Sequence, residues 1–142
     1  MGQIDPAFLD TPQFVEPWLS AEFGREIVVK VETLNPIGSS KGRGTSLLAR
    51  SLDPTCTWVC ATAGNFGQGL AYAARTRQAT VNAFVGPDVS PRKVARMRLL
   101  GARVEVCERP TDPARDHAAD EGRVLVIDGL DPTMAEGAGD TD

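Results

Sequence analysis

Four short apolar runs, separated by helix-forming stretches, constrain this chain more than any other feature. Thr57–Ala61, Thr80–Val85, Arg103–Cys107 and Arg123–Asp128 are rich in β-branched and apolar residues. Their hydrophobicity is nearly continuous rather than alternating, the mark of strands buried on both faces. Between them, Gly67–Arg77 is rich in Ala and Leu. Ser90–Leu100 offers Ser90 as N-cap, Pro91 at the first helical position, Val94, Met97 and Leu100 on one face, and Gly101 as a stop. Asp112–Glu121 repeats the device, with Asp112 as cap, Pro113 next and Gly122 closing. Strand–helix alternation with short turns predicts an α/β fold: a three-layer parallel sheet with helices on both faces and right-handed crossovers.

The flanks are less regular. Glu26–Thr33 reads as a further strand and Lys41–Ser51 as a helix. Pro12–Phe23 reads as a surface segment with a short helix, whose Trp18, Leu19 and Phe23 need cover. Asp131–Asp142 has little apolar content and is expected to be frayed or disordered. His117, between Asp116 and Asp120, is expected to be solvated. Trp58 and Tyr72 are expected in the core.

A length of 142 residues bounds the chain to one domain, or one domain with appendages. The formal net charge is -4. Residues 111–142 hold nine acids against Arg115 and Arg123, or -7, which leaves +3 for residues 1–110. That balance favours neither nucleic acid nor an anionic membrane as partner. No apolar run reaches the roughly 18–20 residues of a membrane span, and the first ten residues lack the features of a signal peptide. A cytoplasmic location is expected. Cys56, Cys60 and Cys107 lie in or beside apolar runs. With one distant His117 they make no four-ligand set, so no metal is expected and the thiols read as buried.

Two glycine-rich stretches carry the chemistry. In Lys30-Val31-Glu32-Thr33-Leu34-Asn35-Pro36-Ile37-Gly38-Ser39-Ser40-Lys41-Gly42-Arg43-Gly44, a strand gives way to a turn and then to a helix opened by Lys41. An amine there sits among unpaired N–H groups at the positive end of the dipole. That setting disfavours the ammonium and attracts phosphate or carboxylate, and a nucleophilic amine is what carbonyl chemistry requires. The lysine falls three residues after a lone glycine, so this is no P-loop. The second stretch, Ala61-Thr62-Ala63-Gly64-Asn65-Phe66-Gly67-Gln68-Gly69-Leu70, joins a strand end to a helix start. Open α/β sheets place ligands there.

Paired in this order, the two stretches resemble the tryptophan-synthase-β-like (fold type II) pyridoxal-phosphate enzymes, and within them the threonine/serine dehydratases. The helix-then-strand Ser90–Val104 adds to the resemblance, which runs from about Phe14 to Gly139. It implies pyridoxal 5'-phosphate as cofactor. Lys41 matches the lysine that condenses with the cofactor aldehyde and shuttles the α-proton. Asn65 matches the residue that hydrogen-bonds the cofactor's 3-hydroxyl. Thr62, Ala63, Gly64 and Gln68 match the loop that holds the substrate carboxylate, and Ser39 and Ser40 flank the lysine, with Ser40 on the substrate side. The implied reaction is α,β-elimination of a β-hydroxy amino acid to a 2-keto acid and ammonia.

Phe66 stands where dehydratases often have histidine, and Ser40 where they usually have phenylalanine; both read as pocket modulators. The resemblance also implies a longer protein. Residues 1–50 then correspond to opening segments of a large domain, 51–130 to the small α/β domain, and 131–142 to a frayed tail. The loop that cradles the cofactor phosphate is not in this sequence, so a truncated chain with little activity alone is expected. Partners expected are an amino-acid substrate, and a second copy or a complementary C-terminal chain. Two rival readings stay open. One is β-replacement of the cysteine-synthase kind, against which Thr62–Gln68 departs from the usual Thr-Ser-Gly-Asn-Thr-Gly. The other is a non-catalytic α/β module.

Overall fold

A computed structural model describes residues 4–139. Its centre is a four-stranded parallel sheet built from β3 (Thr57–Ala61), β4 (Thr80–Val85), β5 (Arg103–Val106) and β6 (Arg123–Leu125). The strand order is β5-β4-β3-β6. The register sets Thr57 opposite Thr80 and Arg123, and Asn82 opposite Arg103. The first two strands have the bounds read from the sequence. β5 stops one residue short of Cys107, and β6 ends at Leu125, so Asp128 belongs to the loop that follows.

Both faces of the sheet are covered, as continuous apolar strands require. On one face α3 (Asn65–Thr76) and α4 (Pro91–Leu99) pack, with Trp58, Cys60, Leu70, Val81, Val85 and Met97 at its core. Each of those side chains is 2 % exposed or less, and burial of an aliphatic one stabilises by about 1.5–3 kcal/mol. On the other face lies α5 (Thr111–Ala118), where Val59, Phe84 and Ala114 meet. The fold is the three-layer α/β arrangement expected.

α2 (Lys41–Ser51) packs across α3, and α6 (Pro132–Gly139) packs on α2. Close approach decides both contacts. A Cβ at Gly69 would lie 2.6 Å from Thr45 Oγ1, and one at Gly44 would lie 2.8 Å from the Met134 carbonyl. The expected fraying of Asp131–Asp142 is therefore corrected over most of its length. Met134 is buried, and Asp131 Oδ1 accepts hydrogen bonds from the Thr133 amide and hydroxyl to start the helix. A buried methionine, and a glycine that lets its backbone come close, outweigh the poor composition. Residues 140–142 lie outside the described part.

The N-terminal region differs more. A two-stranded antiparallel ribbon pairs β1 (Gln13–Val15) with β2 (Val28–Lys30), and α1 (Pro17–Phe23) lies between them. The ribbon was not foreseen, and β2 is much shorter than Glu26–Thr33, because a 3-10 turn takes over at Glu32–Leu34. Trp18 is 84 % exposed and Phe23 61 %, so no described residue provides the cover their chemistry calls for. Ile4 and Phe8 are buried against Ile37, and the Phe8 ring meets Tyr72 edge-on at 5.1 Å.

Two smaller expectations also change. α5 starts at Thr111 with Pro110, not Asp112, at the cap. Asp112 instead pairs with Arg109 at 3.4 Å. His117 is half-buried rather than solvated, between the Asn82 amide and the Arg123 guanidinium.

Candidate active site

Lys41 is the first residue of α2, and the loop before it is tied down by one side chain. Asn35 is buried. Its Oδ1 accepts from the Ile37 and Ser39 amides at 3.1 and 3.2 Å. Its Nδ2 donates to Glu32 Oε2 at 3.0 Å and to the Ser39 carbonyl at 2.9 Å. This is the short-range asparagine chemistry that shapes turns. Outside the loop, Arg96 of α4 donates to the Pro36 carbonyl at 3.3 Å.

In the first turn of α2, the Arg43 side chain is buried and anchors the helix from below. Its guanidinium donates to the Phe8 carbonyl at 3.0 Å and lies 3.6 Å from Glu32 Oε1. Glu32 also accepts from the Thr11 hydroxyl at 3.2 Å. The residues on both sides of Lys41 are thus immobilised, while the lysine side chain itself reaches the surface.

The second stretch turns at the end of β3. Thr62 Oγ1 accepts from the Gly64 and Gly67 amides, both at 3.0 Å, and so closes the turn and caps α3. Gly64 takes φ +128°, a conformation that side chains resist, and its missing Cβ would meet the Lys93 stem. Gln68 is buried, with Nε2 3.5 Å from Asn65 Oδ1 and 3.4 Å from the Gly64 carbonyl.

Lys41, Thr62, Ala63, Gly64, Asn65 and Phe66 line one cleft of about 250 Å³, together with Ala61, Lys93 and Asp128. The cleft opens at the carboxyl ends of the parallel strands, where this class of sheet binds ligands. A second cleft of about 210 Å³ lies beyond Lys41, lined by Ser40, Gly44, Gly129 and Met134 among others. Lys41 and Asp128 line both. The Lys41 ammonium donates to Asp128 Oδ1 at 2.7 Å, with the two side chains 40 % and 39 % exposed. Of the residues expected at the site, Ser40 lines the second cleft, and Gln68 lines neither, standing behind Asn65.

Four residues were missed by the sequence reading. Asp128, Glu32 and Arg43 enter through contacts that span tens of residues or a helical turn, and Lys93 sat in an ordinary basic helix. No local pattern marked them.

The residues present fit the aldehyde-and-ring end of pyridoxal phosphate. A lysine amine and an asparagine amide share a cleft. The Gln68 amide holds Asn65 Oδ1, which leaves Asn65 Nδ2 to donate to an oxygen on the ring. Burial also leaves Gln68 Oε1 without a partner, a polar acceptor beside the same turn.

The family model for "Pyridoxal-phosphate dependent enzyme" matches residues 4–141. The chain belongs to that family. An L-threo-3-hydroxyaspartate ammonia-lyase from Pseudomonas sp is 32 % identical over 136 residues, 91 % of this chain and 43 % of that protein. Cysteine synthase 1 from Emericella nidulans is 36 % identical over 107 residues, 71 % of this chain and 29 % of that protein. The crystal structure of the threonine deaminase of T.th. superposes with a TM-score of 0.74 at 28 % identity, over 89 % of this chain and 42 % of that one. The chain therefore spans less than half the length of these relatives. The family match confirms the fold type and the cofactor class read from the two motifs.

Proposed function

We propose that this chain carries the lysine-bearing part of a pyridoxal-phosphate-dependent lyase that eliminates the β-hydroxyl of a small amino acid such as threonine or serine. The observation that supports it best is the shared cleft of Lys41 and Asn65 at the carboxyl ends of the parallel strands. When bound, pyridoxal phosphate supplies the electron sink that makes loss of the Cα proton feasible. Lys41 Nζ would hold the cofactor at its aldehyde end and would be the base that takes up the Cα proton. Asn65 Nδ2 would donate to the ring oxygen and so fix the ring's orientation. Thr62 Oγ1 already accepts two backbone N–H bonds, so its own proton is left to donate to the substrate α-carboxylate. The Ala63 amide, with the start of α3, adds a positive field for the same group. Phe66, 3 % exposed, forms an apolar wall that keeps water from the reacting carbon.

Elimination is favoured over β-replacement by the ammonia-lyase relative, which covers more of the chain. The cysteine synthase relative keeps the replacement reading as the second one. On either reading the phosphate-binding loop comes from outside residues 4–139, and full turnover needs that part.

Absorbance tests the assignment. The purified chain, given pyridoxal phosphate, is expected to turn yellow with a band that borohydride bleaches, and Lys41→Ala is expected to remain colourless. Peptide mapping after reduction should find the pyridoxyl group on Lys41. A wild-type chain that fixes no cofactor on Lys41 would sink the proposal and leave the non-catalytic module. For a chain that does, supplied with a complementary part that carries a phosphate-binding loop, 2-oxobutanoate from threonine identifies elimination, and sulfide-dependent product identifies replacement.

A further inference from the structure

The clefts beside Lys41 contain one carboxylate among the described residues, that of Asp128, and it touches the amine. We propose that Asp128 is a positioning residue for Lys41. It holds the Lys41 side chain between the two clefts through the Nζ–Oδ1 contact, so that a carbonyl compound must displace that contact to reach the amine. The inference rests on Lys41 being the reactive amine.

The geometry carries it in three ways. The Nζ–Oδ1 distance of 2.7 Å is that of a charge-assisted hydrogen bond. An Nζ engaged in that way is tied to Asp128 and is not free to approach a carbonyl carbon. Asp128 is also held from both sides. Before it, the Val126 amide donates to the Val59 carbonyl at 2.8 Å, which ties the loop to β3. After it, Gly129 turns at φ +76° and Met134 is buried against α2. A carboxylate on a loop fixed at both ends meets Lys41 without further ordering.

The charge balance agrees. The cleft that holds Asn65 has two cations on its wall, Lys41 and Lys93, and Asp128 as the one anion among the described lining residues. Lys93 packs its stem on Gly64, and no acceptor for its ammonium is found among the described residues. The anion is placed on Lys41 alone. Because both partners are some two-fifths exposed, the hold is weak enough to be broken by a ligand.

Reductive methylation of the full chain without cofactor, read lysine by lysine by mass spectrometry, tests the idea. The chain has three lysines, Lys30, Lys41 and Lys93, so two serve as internal references. Asp128→Asn is expected to raise labelling of Lys41 by about two- to fivefold relative to Lys93, the range for an exposed ion pair. Asp128→Glu should stay near wild type, and high salt should narrow the difference. Unchanged Lys41 labelling in Asp128→Asn, or a rise shared by all three lysines, overturns the proposal. Capture of pyridoxal phosphate, followed by absorbance, should be faster in Asp128→Asn. If no form captures the cofactor, the functional reading fails, while the labelling comparison still decides the role of Asp128.

Discussion

Arg43, two positions after the lysine that defines the site, pairs with Glu32 inside the protein at 3.6 Å, the side chains 2 % and 18 % exposed. The pair joins the 3-10 turn that leads into the loop to the helix that leaves it. Glu32 in turn holds Asn35, whose amide organises Ile37 and Ser39. The position of Lys41 is therefore set by a chain of polar contacts that never touches its own side chain.

Glu32→Ala should take the Glu32 carboxylate away from the buried Arg43 guanidinium. Loss of a hydrogen bond or ion pair to a buried charged group costs about 1.5–3 kcal/mol. We expect a loss of that size in urea unfolding, together with weaker cofactor capture because the loop before Lys41 loosens. Stability within about 0.5 kcal/mol of wild type, the range of an ordinary surface change, would show that the pair does not hold the loop.

Thr62→Val keeps the shape of the side chain and removes the oxygen that accepts from the Gly64 and Gly67 amides. Loss of a helix cap costs about 0.5–2 kcal/mol. Thr62→Ser should recover most of it. If the hydroxyl also donates to the substrate carboxylate, amino-acid binding in Thr62→Val weakens beyond the change in stability. Equal amino-acid affinity in Thr62→Val and wild type would remove Thr62 from the binding role.

Gly64→Ala faces two separate penalties, backbone strain at φ +128° and overlap of the new Cβ with the Lys93 stem. Strain of this kind costs about 1–3 kcal/mol. Adding Lys93→Ala removes the overlap and leaves the strain, so the double variant should recover stability only in part. Complete recovery, measured by thermal unfolding, would mean that the backbone conformation at residue 64 carries no cost.

Cys60 is wholly inaccessible, and burial, reinforced by the nearby Asp128 charge, pushes its thiol up from 9.0 to about 12. The unfolded chain ionises near 9.0 and the folded one near 12. Above about pH 9 the unfolded state therefore binds fewer protons, and stability falls as pH rises. The contribution is intact below about pH 9 and declines between there and about pH 12. In thiol labelling of the folded protein near neutral pH, Cys60 should react far more slowly than the half-buried Cys56 and Cys107. Labelling of Cys60 at the rate of the other two would contradict this packing.

What the sequence determined by itself was the layered α/β fold, the bounds of α2, β3 and β4, and the two turns that carry Lys41 and Asn65. These depend on neighbours along the chain: continuous apolar runs, N-terminal prolines, and glycines where a Cβ cannot go. Only the tertiary structure decided what lies across from them. Asp128 meets Lys41 from 87 positions away, Glu32 meets Arg43 through a loop, and α6 docks because Gly44 leaves room for Met134. No window of residues contains those contacts, because each depends on where the sheet brings separate segments together. The fraying expected after residue 130 failed for the same reason: composition measures what a segment can bury alone, and α6 is held by a surface that another helix supplies.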